Sequence, residues 1–117
     1  MTVTEISSEE LKKLMDSQAE FLLVDLLGEK SYASLHLPQA VEVSSGDDFL
    51  SKVDVLVGGD HERKIVVYGA SFKDDVSTRQ TEELLQAGYT NVLDFRGGLK
   101  DWAAELFPLE GQRAPKS

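Results

Sequence analysis

The chain contains no cysteine. That absence removes disulfides, thiolate metal sites, iron–sulfur clusters and every reaction that runs through a cysteine nucleophile. Basic residues are also scarce: 12 Lys and Arg stand against 21 Asp and Glu, giving a net charge of −9 that repels nucleic-acid phosphates and anionic lipid. Neither nucleic acid nor a membrane is an expected partner. No apolar run approaches the roughly 20 residues that span a bilayer. The first residues, Met1-Thr-Val-Thr-Glu-Ile6, show neither a basic region nor an apolar one, so no secretory signal or transit peptide is expected and the expected location is cytoplasmic. What remains is a chain of 117 residues, 41% hydrophobic, which is enough apolar material for one core and too short for two.

Ser7-Ser-Glu-Glu10 has the form of a capping box, and Leu11, Leu14 and Met15 then share one face, which predicts a helix over residues 8–17. Residues 21–27 are a nearly continuous apolar run, the pattern of a strand buried on both faces. Residues 65–68 repeat that character with β-branched side chains, and residues 91–95 and 40–43 are two further strand candidates. Helical patterns lie between them. Residues 29–35 form one, and residues 47–57 form another with Phe49, Leu50, Val53, Leu56 and Val57 on one side, ended by Gly58-Gly59. Ser77-Thr-Arg-Gln80 reads as a second capping box, with Thr81, Leu84 and Leu85 turned inward before a stop at Gly88. A last helix over residues 99–106 puts Leu99, Trp102, Ala103 and Leu106 together as core, until Phe107-Pro108 breaks it. Buried strands alternating with amphipathic helices predict a three-layer α/β fold around a mainly parallel sheet. Residues 112–117 read as a flexible C-terminal tail.

In such folds ligands bind beyond the carboxyl ends of strands, where loops enter helices. The segment that fits best leaves the strand at Tyr68 and runs through Gly69, Ala70, Ser71, Phe72, Lys73, Asp74, Asp75, Val76 and Ser77. Its small residues would let backbone N–H groups converge, and Gly69, Ser71, Lys73 and Ser77 are the candidate ligand-binding positions. Asp74 and Asp75 work against a strong anion receptor, with Lys73 alone offsetting them. They are explained as flanks of the helix start, just as Asp47-Asp48 are explained as an acidic helix N-terminus.

Four separated segments, in order and at similar spacing, resemble the rhodanese-like domain family. Leu23-Val-Asp-Leu-Leu-Gly-Glu29, Tyr32 and His36-Leu-Pro-Gln-Ala40 are similar to the family's L-[IV]-D-V-R-x-x-x-E-[YF]…G-H-I-P-G-A stretch. Residues 65–68 look like the strand that ends at the active-site cysteine. Glu83-Leu-Leu-Gln-Ala-Gly-Tyr-Thr-Asn-Val92 resembles the helix and strand after the loop, and Arg96-Gly-Gly-Leu-Lys-Asp-Trp102 resembles the closing x-G-G-[IL]-x-x-W element. The resemblance covers roughly residues 6–111, and it implies a three-layer α/β/α domain over residues 1–111 with a central five-stranded, mainly parallel sheet. In active members a cysteine carries a persulfide from a sulfur donor to a nucleophilic acceptor. Here Gly69 stands in the cysteine's place, Leu27 replaces the arginine of the first motif, and the loop departs from the usual C-x-x-G-x-R-S. It keeps instead the spacing of the longer Y-C-x4-C-x2-S loops, with Gly69 and Asp74 at the two cysteine positions.

A persulfide needs a sulfur nucleophile, and glycine has no side chain. The expectation is therefore a catalytically inactive sulfurtransferase homologue that acts as a binding or regulatory module through the 69–77 loop, its partner a protein or a small anion. The alternative is a cysteine-independent hydrolase using Ser71 or Asp74 on a small anionic substrate. A serine nucleophile would need a general base, and only His36 and His61 are available. His36 is expected to be structural, and Ser77 to be a helix N-cap worth ~1 kcal/mol. Three consecutive side chains in Asp60-His61-Glu62 do not converge easily on one ion, so a solvated turn is expected there, and no metal or cofactor is expected elsewhere. Asp25, at the end of the first buried strand, is expected to be a hydrogen-bonded structural carboxylate.

Overall fold

Unbroken apolar runs become the middle of the sheet, because only a strand covered on both faces gains from having no polar side. In the computed structural model, which describes residues 2–115, strands and helices alternate throughout. They are β1 (Thr4–Glu5), α1 (Ser8–Asp16), β2 (Leu22–Asp25), α2 (Glu29–Ser34), β3 (Val41–Glu42), α3 (Phe49–Leu56), β4 (Ile65–Tyr68), α4 (Val76–Gln86), β5 (Val92–Phe95) and α5 (Gly98–Ala104). The five strands form one parallel sheet in the order β1-β5-β4-β2-β3. Every residue of β2 and β4 is buried. Alternate side chains supply two cores: Val24, Ile65, Val67 and Val92 meet Phe49, Val53 and Leu84 of α3 and α4. On the opposite face Leu23, Val66, Tyr68 and Phe95 meet Leu11 of α1 and Trp102 of α5. The three-layer α/β/α architecture expected from the sequence is present. No helix among the described residues is long and apolar enough to cross a membrane.

The first capping box forms in full, with the Glu10 amide donating to Ser7 Oγ at 3.1 Å and the Ser7 amide donating to Glu10 Oε1 at 3.0 Å. The second does not. α4 begins at Val76, because Asp74 Oδ1 accepts the Val76 amide at 3.0 Å and turns the chain into the helix early. Ser77 is therefore a buried residue inside the first turn and not the cap, and Gln80 is buried beside it, donating to Glu83.

Other boundaries shift for identifiable reasons. β1 gave no sequence signal, being two exposed polar residues at the sheet edge, held by pairing Thr4 with Leu93 and Glu5 with Asp94. Leu56 and Leu106 do not join the core: Leu56 lies at the end of α3 and is 45% exposed, and Leu106 follows the end of α5 at φ +60° and is 91% exposed. Trp102 is fully buried as expected, its indole N–H donating to Pro108 O at 2.7 Å. Within residues 112–114 Gln112 and Arg113 donate to the carbonyls of Ala33 and Ser34 at 2.9 and 2.8 Å, and the Ala114 amide donates to Gly111 O at 3.2 Å. Lys116 and Ser117 lie outside the described residues.

Gly98 fixes the distance between α5 and the site. Its φ is +64°, and a Cβ there would sit 2.4 Å from Gly69 O. Without that atom the start of α5 closes on the end of β4, and the Leu99 and Lys100 amides donate to the carbonyls of Gly69 and Ala70 at 3.0 and 2.9 Å.

Candidate functional site

Beneath the site lies a buried hydrogen-bond chain. Asp25, fully buried at the end of β2, accepts from the Leu27 amide at 2.8 Å through Oδ1 and from the Tyr68 hydroxyl at 2.5 Å through Oδ2. That hydroxyl in turn accepts from the Leu37 amide at 3.2 Å. Burial raises the Asp25 carboxyl above the ordinary carboxylate range, while the bonds from Tyr68 and Leu27 pull against it. Burial, and then the Asp25 charge, raise the Tyr68 phenol, which stays a proton donor. The chain joins the ends of β2 and β4 to the segment before β3, so Asp25 has the structural place expected of it. Leu27, in the arginine's position, packs partly into the core on the α1 and α5 side.

Above this support, residue 69 has little space for a side chain. A Cβ on Gly69 would lie 2.8 Å from Val76 Cγ1 and 3.4 Å from Asp74 Oδ2. The room in which a nucleophile would project is filled by the loop's own valine and bordered by its own carboxylate. Such a carboxylate also disfavours a second negative charge nearby, whether a thiolate or a bound anion. The loop satisfies part of its backbone internally: the Lys73 amide donates to Ser71 Oγ at 3.3 Å, the Asp74 amide to Ser71 O at 3.0 Å, and the Val76 amide to Asp74 Oδ1. Asp75 holds Arg79 in an exposed pair at 3.2 Å.

The four candidate ligand-binding residues are not gathered at one point. Ser71 and Lys73 line a cavity of about 290 Å³ between the loop and α5, together with Phe72, Gly97, Lys100, Asp101 and Ala104. Gly69 and Ser77 are buried and do not line it. Neither histidine is positioned as a base for Ser71. His36 stacks on Tyr32 at 3.8 Å and donates from Nδ1 to Tyr32 O at 2.6 Å, with Glu110 at 3.5 Å from Nε2. His61 lies 3.3 Å from Asp54 and packs at a tilt of 35° against Tyr89. In the same turn the Glu62 amide donates to Asp60 Oδ1 at 2.9 Å, so Asp60 faces its own turn while His61 faces Asp54. Asp48 precedes α3 without a side-chain capping bond and pairs with Lys52 at 3.3 Å.

Sequence reasoning missed Arg96. From the end of β5 its guanidinium donates to Phe72 O and to Thr78 Oγ1, each at 3.3 Å, and Thr78 donates on to buried Asp94 at 2.6 Å. The loop tip is thus tied to β5 and α4, which holds Phe72 58% exposed to solvent. The available signal was an arginine immediately before Gly97-Gly98, at a strand end facing an acidic loop.

The rhodanese-like domain family matches residues 7–105. Among solved structures, the rhodanese-like domain of the Alr3790 protein from Anabaena sp. superposes with a TM-score of 0.82 at 24% identity, covering 99% of this chain and 87% of that one. The BH2092 protein from Bacillus halodurans gives 0.82 at 20% identity over 97% of this chain and 81% of that one. Thiosulfate sulfurtransferase from Pseudomonas aeruginosa gives 0.82 at 24% identity over 96% of this chain, but the match spans only 21% of that longer chain. A search of curated proteins found no match. With the family matched over residues 7–105 and the fold in agreement, the chain belongs to the rhodanese-like domain family, and it carries that fold with no cysteine.

Proposed function

We propose that this protein is a catalytically inactive rhodanese-like domain whose 69–77 loop is a recognition surface. The observation that carries this reading is the crowding at Gly69: Val76 and Asp74 take the space a nucleophile would need, while the same loop is braced and shows an aromatic side chain to solvent. A site that had merely lost its thiol would keep room for one. Here restoring the thiol alone meets a methyl group at 2.8 Å and a carboxylate that keeps it protonated. Sulfur transfer from thiosulfate is therefore expected to be undetectable in the wild type and in Gly69→Cys. Any recovery is expected only when Val76→Ala and Asp74→Asn are added. Activity in the single Gly69→Cys variant would show a site still competent for chemistry.

Recognition is tested by placing a photo-crosslinking amino acid at Phe72 and, separately, at Val55, which is 79% exposed on α3. The whole protein is then irradiated in cell extract. A discrete adduct at position 72 and none at position 55 is the expected result. Equal labelling at both positions, or none at 72, would overturn the reading.

A further inference from the structure

Phe72 is a large apolar side chain on an exposed loop, held in place by hydrogen bonds at both ends of its segment. It lines the cavity of about 290 Å³ between the loop and α5, and Ala104 lines the same cavity. That volume stands at the small end of ligand pockets and accommodates one apolar side chain with its adjoining backbone. The rim is cationic in a protein of net charge −9: Lys73 comes from the loop and Lys100 from α5. Among the described residues neither lysine forms a salt bridge. Asp101, the one carboxylate on the lining, lies back against Gly97, its Oδ2 2.7 Å from where a Cβ on that glycine would be. Across Phe72 the balance of charge reverses, because a second cavity of about 310 Å³ is lined by Glu5, Glu10 and Asp101 against Arg96.

Resting on the reading of the loop as a recognition surface, we infer that the groove between Phe72 and α5 docks a protein segment presenting one apolar side chain flanked by carboxylates. The apolar side chain packs between Phe72 and Ala104, and the flanking acids meet Lys73 and Lys100. The acidic ridge at Glu5 and Glu10 turns such a segment away from the other side of Phe72 and fixes which cavity it enters.

The test is an amide-resolved NMR titration of the whole protein with acetylated, amidated tripeptides at low salt. Glu-Leu-Glu is expected to give saturable shifts at Phe72, Lys73, Gly97 and Lys100, weakening as salt is raised. Lys-Leu-Lys and Glu-Ala-Glu are expected to bind at least about fivefold more weakly. Both lysines are exposed, so Lys73→Glu with Lys100→Glu is expected to leave the remaining spectrum unchanged while weakening Glu-Leu-Glu about fivefold or more. Phe72→Ala is expected to weaken it about tenfold. Equal affinity for the acidic and basic peptides, shifts outside the groove, or indifference to the double charge reversal would overturn the inference. If the peptides fail while position 72 still crosslinks, the groove assignment falls and the recognition loop stands. If both fail, the fault lies in the reading beneath it.

Discussion

The two loops that leave the central strands β2 and β4 at the same end of the sheet are held in opposite ways. After β2 the chain is tied into the interior: Asp25 bonds Leu27 and Tyr68, and Tyr68 reaches Leu37. After β4 it turns outward and is held partly by its own bonds, through Ser71 and Asp74, and partly from outside, by the Leu99 and Lys100 amides and the Arg96 guanidinium. Buried polar groups are costly to leave unpaired, so the first loop cannot change one member without disturbing the rest. A loop whose tip is exposed has no such constraint on its outward side chains. The comparison shows that one end of a sheet can hold a loop locked into the interior beside a loop whose surface is free to vary.

The contrast can be strained hardest at its joint. Gly98→Ala would drive a methyl group to 2.4 Å from Gly69 O at a left-handed φ, and is expected to cost about 3 kcal/mol or more in urea unfolding. A loss below about 1 kcal/mol would mean that α5 can move off β4 freely. Tyr68→Phe comes next, at about 2 kcal/mol, because it strips a donor from Asp25 and an acceptor from the Leu37 amide.

Tyr68→Phe also carries a sign. Asp25 is raised in the folded state, so its contribution to stability is full below the unfolded carboxyl value of about 4 and is lost as pH rises through the native value. Removing the Tyr68 bond raises Asp25 further. The stability gap between wild type and variant should therefore widen as pH rises through the native Asp25 range, which lies above the ordinary carboxylate value, and a gap independent of pH would contradict the assignment. On the outward loop the effects should be smaller. Asp74→Ala removes the bond that starts α4 and is expected to cost about 1 kcal/mol, and Ser71→Ala less than about 0.5 kcal/mol. Costs as large as that of Tyr68→Phe would erase the distinction between the two loops.

Legibility in the sequence divides along the same line. Val, Ile and Leu runs revealed β2 and β4 because burial on both faces leaves a periodicity-free apolar signature. Ser7 and Glu10 revealed α1 because a capping box is local, and both bonds form. The second apparent box failed since Asp74, three residues earlier than Ser77, competes for the same helix start. β1 was invisible because pairing with a strand from the far end of the chain, and not its own residues, makes it a strand. At the site, the substitution at Gly69 could be read directly. The filling of its space by Val76 could not, because which side chain turns into a vacancy depends on packing. Nor could the reach of Arg96 across to Phe72 and Thr78, since the three residues lie on different segments.

The β1–β5 pairing also sets an order of events. β1 leaves the ribosome before the other four strands of the sheet, yet its partner β5 leaves after them all. During synthesis β1 has nothing to pair with until β5 has emerged, so the earliest strand of this sheet is the last that the sheet can accept. Contacts of such wide sequence separation slow folding, because a long loop must close before they form. Two exposed polar residues are well suited to that wait, since a short polar edge offers little for other chains to pair with.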